Sequence, residues 1–220
     1  MSDGLARLLL LTDRRACRRS LLDVLARCVD AGARSVVLRE KDLPAGERAR
    51  LADGVAALLD PVGGLLVLAG AAAGAARPAA VHLAAGDAVP DPRPALLGRS
   101  CHDAAEVARA AGEGCDWVTV SPVWETASKP GYGPALGLAG LAGLAAGAPP
   151  AYALGGVTPE RARRCRDAGA HGVAVMGAVM GAERPGEVVA ALLAALDGAC
   201  AGNRAAVRAL ESSDRSTTAP

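Results

Sequence analysis

Residues Ala151 to Gly177 read AYALGGVTPERARRCRDAGAHGVAVMG, and this stretch decides the fold. Ala151 to Leu154 is a short apolar run with the length of a buried strand, and it ends in Gly155-Gly156. Thr158-Pro159-Glu160 makes a helix start, because threonine favours the N-cap and proline the first turn; Gly169 stops that helix. Gly172 to Met176 is a second apolar run and ends at Gly177. Glycine at both strand ends lets backbone N–H groups approach an anion, so either turn can close a phosphate cup.

The same alternation extends towards the N-terminus. Apolar runs at Leu8 to Leu11, Ser35 to Leu38, Leu65 to Leu68, Ala80 to Leu83, Ala95 to Arg99 and Asp116 to Ser121 bring the strand candidates to eight. Between them, Leu21, Val24, Leu25, Cys28 and Val29 form one face of an amphipathic helix closed by Gly32. A second helix starts near Pro44 and buries Leu51, Val55, Leu58 and Leu59. Asp103 and Glu106 are spaced as an N-cap and its reciprocal partner. Further helices are expected over Leu138 to Ala146 and through Val188, Val189, Leu192, Leu193 and Leu196.

Eight strands alternating with helical segments predict an α/β TIM-type (β/α)8 barrel, with an open doubly wound sheet as the competitor. Closure is favoured because polar residues recur just past strand ends, at Asp13, Arg39, Lys41, Asp87, Ser100 and Ser121. The glycine turns also follow strands seven and eight, where barrels often hold phosphate. A single domain over residues 1–198 is expected, with a Ser/Thr-rich, disordered tail over 199–220.

Composition narrows the function classes. The chain is 51% hydrophobic and 21% charged, enough to build a core of Leu, Val and Ala in the absence of any Phe. Few aromatic rings argue against single-stranded nucleic-acid binding, and a net charge of +1 points to neither a polyanion nor a membrane surface. No apolar run reaches the ~18 residues of a membrane span. The six cysteines are scattered without a C-x-x-C pair, which suits free thiols in a reducing cytoplasm.

The second chemical stretch is Val120 to Pro134, VSPVWETASKPGYGP. Thr126, Ser128 and Lys129 offer two hydroxyls and an ammonium that converge on one anion if the backbone bends over it. Alone, T-x-S-K is a weak signal, since many such strings are solvated loops.

Taken together, the strand-end motifs resemble the thiamine phosphate synthase and thiazole tautomerase superfamily. In order they are Leu11-Thr12-Asp13, Leu38-Arg39-Glu40-Lys41, His82-Leu83 with Asp87, and Gly98-Arg99-Ser100-Cys101-His102. The series continues with Ser121-Pro122-Val123-Trp124-Glu125-Thr126-Ala127-Ser128-Lys129, Ala153-Leu154-Gly155-Gly156-Val157 and Gly172-Val173-Ala174-Val175-Met176, so that the resemblance covers residues 8–196. It implies a transferase that joins an aminopyrimidine diphosphate to a thiazole phosphate and releases pyrophosphate, with Mg²⁺. By the same resemblance Arg39, Lys41 and Ser100 are catalytic, Arg39 and Lys41 meeting the diphosphate and Ser100 the pyrimidine. Asp87 is the metal ligand. Thr126, Ser128, Lys129, Gly156, Met176 and Gly177 hold the thiazole phosphate. The implied partners are these two small molecules, with association between copies of the chain left open.

The departures from the pattern are specific. Val37 stands where the synthases place Gln, and Ala69-Gly70 where they place Asn-Asp; no Asn, Asp or Glu occurs between Pro61 and Gly86. Gly177 replaces a serine, although its backbone N–H remains. Pro122 occupies the place of the tautomerase acid/base histidine. Three readings follow: the synthase, a metal-independent tautomerase, and a non-catalytic binder of thiazole phosphate. The synthase leads.

Overall fold

The computed structural model describes residues 5–70, 79–125 and 134–197. Eight strands, β1 (Leu8–Leu11), β2 (Ser35–Leu38), β3 (Leu65–Ala69), β4 (Ala80–Leu83), β5 (Leu96–Cys101), β6 (Trp117–Val120), β7 (Ala151–Leu154) and β8 (Gly172–Val175), close into one barrel in chain order. Every neighbouring pair is parallel, and β8 returns to β1 with Leu9 opposite Ala174. This is the expected (β/α)8 barrel. The open-sheet alternative is excluded by the β1–β8 pairing.

The helices are α1 (Leu21–Asp30), α2 (Ala45–Leu59), α3 (Ala104–Gly112), α4 (Gly137–Ala145), α5 (Pro159–Asp167), α6 (Gly177–Met180) and α7 (Pro185–Asp197). Their starts follow local chemistry. Ser20 caps α1 by accepting the Asp23 N–H, and Asp103 caps α3 by accepting the Glu106 N–H. The Glu106 carboxylate reaches back one residue further than expected, to the His102 N–H at 2.6 Å. Pro44 is the N-cap of α2 rather than a residue of its first turn.

The general alternation of strands and helices lapses after β4, where residues 84–95 run in turns, bends and irregular backbone before β5 begins. That segment, rich in Pro and Asp, has no apolar repeat to bury as a helix. The short α6, directly after β8, was not anticipated. The tail expected to be disordered lies outside the described residues.

Side-chain alternation divides the core in two. Leu8, Leu10, Val36, Leu38, Leu83, Val118, Val120 and Val173 face outward onto the helices. Leu9, Leu11, Val37, Val67, Ala80, Trp117, Tyr152 and Ala174 fill the barrel. Trp117 is the largest of them, and its indole lies against the bare Cα of Gly98 on the next strand. Any side chain at residue 98 runs into that ring. We therefore expect Gly98→Ala to destabilise the protein by about 1–3 kcal/mol, the range for overpacking a filled core. Urea unfolding measures this; a midpoint equal to wild type would show that the interior is loosely filled.

Candidate active site at the mouth of the barrel

A cavity of about 840 Å³ opens at the C-terminal ends of the strands, a size suited to a small organic ligand. Its lining draws on the last inward-facing layer: Leu11, Val37, Ala69, His82, Ser100, Leu154 and Ala174. Val37 takes its place there with no hydrogen-bonding group. The rim supplies the charges and the turns.

Arg39 and Lys41 both reach the cavity, and two struts position them. Buried Thr12 accepts the Arg39 N–H at 2.9 Å, while its own N–H donates to the Val37 carbonyl, so the ends of β1 and β2 are locked together. Buried Glu40 accepts from the Arg14 backbone N–H and from its guanidinium, both at 3.0 Å, and Arg14 continues to Asp42. Across the rim, Gly70 follows β3 with φ +85°, and a Cβ there would stand 3.7 Å from the Lys41 Nζ. The Lys41 ammonium thus stands beside the place where a residue 70 side chain would begin.

On the cavity wall, His82 Nε2 lies 3.1 Å from Ser100 Oγ and 3.3 Å from Thr119 Oγ1. Its Nδ1 is buried and has no hydrogen-bond partner among the described residues. Burial pushes the imidazole down to about 4, and the positive charges of Lys41 and Arg99 push the same way. At neutral pH this histidine is uncharged. Ser100 is therefore a hydroxyl held by a neutral ring, in the cavity where the resemblance places the pyrimidine. Thr119 was missed, although a lone hydroxyl in the run Trp117–Val120 was a visible signal.

His102 also faces the cavity, with Nδ1 at 2.6 Å from the Ser121 carbonyl. A carbonyl only accepts, so Nδ1 carries the proton in that bond. His171 lies before β8 and bonds the Leu5 carbonyl, away from the site. The thiols of Cys28, Cys101 and Cys165 are each pushed up to about 12 by burial, which suits structural cysteines rather than nucleophiles. Those described are free; Cys200 lies outside the described residues.

The loop after β4 forms one wall through Ala84, Ala85 and Gly86. Its conformation is set from outside the barrel. Arg99, fully buried, donates to the carbonyls of Ala84, Ala85 and Asp87 and pairs with Glu113, which Arg109 also contacts. Asp87 stands just behind Gly86 rather than on the cavity wall, and its Oδ2 caps the turn by accepting the Ala84 N–H at 2.9 Å. Among the described residues no group of three or more His, Cys, Asp or Glu could hold a metal ion. Mg²⁺ commonly keeps its waters and binds through one or two carboxylates plus substrate phosphates. Asp87 supplies one carboxylate near this wall, with one oxygen already accepting the Ala84 N–H, which meets that minimum and no more.

The opposite rim is the glycine cup. Gly155 and Gly156 have φ of +98° and +63°, and they pack against the segment after β6. The Val123 and Trp124 N–H groups donate to the carbonyls of Leu154 and Gly155, prolonging the β6–β7 pairing. A Cβ on Gly156 would lie 2.7 Å from Trp124 Cβ and 2.8 Å from the Glu125 carbonyl, so only glycine fits. Gly156, Met176 and Gly177 all line the cavity as expected. Arg161, unremarked in sequence, lines it too. Thr126, Ser128 and Lys129 lie outside the described residues.

A family model described as thiamine monophosphate synthase matches residues 8–179. A putative thiamine-phosphate synthase of Geobacter sulfurreducens is 37% identical over 187 residues, covering 78% of this chain and 85% of the relative. A thiamine-phosphate synthase of Methanoculleus marisnigri is 36% identical over 185 residues, covering 78% and 86%. Among solved structures, the thiamine phosphate pyrophosphorylase of Pyrococcus furiosus superposes with a TM-score of 0.77 at 24% identity, over 87% of this chain and 95% of that one.

The buried His82 makes stability depend on pH. Its folded pKa lies below the unfolded value, so the unfolded chain binds the extra proton and stability falls as pH drops from about 6.5 to about 4. A gap of this size corresponds to roughly 3 kcal/mol once both values are passed. We expect His82→Gln to flatten the fall in urea midpoint over that window. An unchanged slope would show that His82 is not the responsible group.

Proposed function

The chain belongs to the thiamine monophosphate synthase family, and from that premise we propose how its cavity performs the reaction. The protein is a thiamine-phosphate synthase-type transferase: it joins an aminopyrimidine diphosphate to a thiazole phosphate and releases pyrophosphate, a step of thiamine biosynthesis. The observation that carries the proposal is the layout of one cavity, with Arg39 and Lys41 after β2 and the glycine turns after β7 and β8. Two anionic substrates can each be held at one end, with the pyrimidine methylene and the thiazole nitrogen between.

In the reaction the bond between the pyrimidine methylene and the diphosphate oxygen breaks, and the diphosphate leaves with the electron pair. The thiazole nitrogen supplies its lone pair to the methylene, forming the new C–N bond and a thiazolium. Arg39 and Lys41 stabilise the negative charge that grows on the leaving group, the kind of electrostatic help that is usually the largest catalytic term. His82 must not oppose the positive charge on the methylene, and its low pKa keeps it neutral while it orients the Ser100 hydroxyl towards the pyrimidine. Gly156, Met176 and Gly177, with Thr126, Ser128 and Lys129 as the family resemblance implies, take the thiazole phosphate. Mg²⁺, when bound, would be held by Asp87 with diphosphate oxygens and water, and would neutralise leaving-group charge.

Among the described residues no helix is long and apolar enough to cross a membrane. We place the activity in the cytoplasm, where free thiols persist. The tautomerase reading has no matching histidine, since Pro122 stands on the cavity wall at that place.

With both substrates and Mg²⁺, pyrophosphate release should exceed the rate without protein. A rate equal to the protein-free mixture would remove the synthase reading and leave a binding protein. Lys41→Ala should lower kcat/KM by about 10²–10³, the scale for losing one group that stabilises transition-state charge. Asp87→Asn keeps an oxygen for the Ala84 N–H but loses the charge, so it should raise the Mg²⁺ concentration for half-maximal rate by about tenfold. An unaltered Mg²⁺ profile would show that Asp87 only caps its turn.

A further inference from the structure

Arg161 sits in the first turn of α5, within a run of arginines that would ordinarily be solvated, yet its side chain turns back to line the cavity. Its Nη1 donates to the Gly156 carbonyl at 2.7 Å. Its guanidinium carbon lies 5.0 Å from the centre of the Trp124 ring, a cation–π contact. Trp124 in turn packs on the Cα of Gly156, where an added Cβ would stand 2.7 Å from Trp124 Cβ and 3.3 Å from Arg161 Nη1. Glycine turn, indole and guanidinium are thus one close-packed unit on the phosphate side of the site.

The unit leaves the charge of Arg161 uncommitted. Glu125 lines the same wall, but no ion pair joins the two, and Arg161 takes part in none of the ion pairs among the described residues. A guanidinium has five N–H donors, and the Gly156 carbonyl uses one. The flat ring and the carbonyl hold the fork in place, so little side-chain entropy remains to be lost on binding. A fixed fork with spare donors beside a glycine turn fits a phosphate monoester better than a single ammonium does.

We propose that Arg161 is a phosphate-binding and specificity residue: it takes the phosphate of the thiazole substrate at the Gly155-Gly156 turn and makes the site select the phosphate ester over the free thiazole alcohol. This rests on the synthase reading above. Because the second phosphate ionisation lies near pH 6, the dianion should be the preferred form, and affinity should rise between about pH 5 and 7.

The test is titration calorimetry of wild type, Arg161→Met and Arg161→Lys with thiazole phosphate and with thiazole alcohol, alongside steady-state kinetics. Methionine keeps an apolar stem against Trp124 and removes the charge. The proposal requires Arg161→Met to lose about tenfold or more in affinity for the phosphate ester. Its KM for that substrate should rise in parallel, with kcat nearly unchanged and the alcohol bound as by wild type. Lysine should recover part of the loss, and the methionine variant should show a weaker rise of affinity with pH. An equal loss for ester and alcohol would mean that Arg161 merely supports Trp124, and would overturn the proposal. Wild-type affinity for the ester in Arg161→Met would overturn it while sparing the synthase reading. Wild-type protein that binds neither form would overturn both.

Discussion

The architecture depends on one packing constraint, the indole of Trp117 lying across the bare backbone of Gly98. With so few aromatic side chains in the chain, this ring does much of the filling of the barrel interior. Tyr152 completes the plug, its hydroxyl donating to the Ala6 carbonyl near the start of β1. Nearer the strand C-termini the inward residues Ala69, Ser100 and Ala174 are small, and there the interior widens into the cavity. A large residue low in the barrel and small ones high in it leave the C-terminal mouth as the place where a ligand can enter.

Given that plug, the site is positioned by buried polar side chains that tie consecutive loops together. Thr12 and Glu40 couple the ends of the first two strands and so aim Arg39 and Lys41. Arg99 does for the loop after β4 what a crossover helix does elsewhere, gathering three of its carbonyls onto one buried guanidinium. The charges that result are unequal across the cavity. Cations dominate the rim at Arg39, Lys41 and Arg161, Asp13 and Glu125 are the carboxylates on the wall, and His82 is kept neutral. That balance suits two phosphorylated substrates and a reaction in which an anion departs.

Much of this was legible in the sequence. Strands buried on both faces become runs of Leu and Val, and each such run proved to be a strand within a residue or two at most ends. The Gly155-Gly156 turn was readable because its left-handed backbone favours glycine, Arg39 and Lys41 because polar residues just past parallel strands point into a shared mouth, and Ser100 because it is a hydroxyl at the C-terminal end of β5. What escaped reading depends on distant partners. Arg161 belongs to a helix with the pattern Arg-Ala-Arg-Arg, and nothing local says which arginine folds back onto Trp124. Asp87 matched a metal ligand by position, yet one of its oxygens is committed to a turn that only the course of residues 84–87 reveals. The proximity of Lys41 to Gly70 likewise joins two loops that are neighbours only once the barrel closes.

The most direct test of the account is a crystal structure of the protein with thiamine phosphate bound. The phosphate should lie between the Gly155-Gly156 turn, the Met176-Gly177 turn and the Arg161 guanidinium, with the pyrimidine ring beside Ser100. A phosphate seated outside this mouth, or a pyrimidine remote from Ser100 and His82, would contradict it.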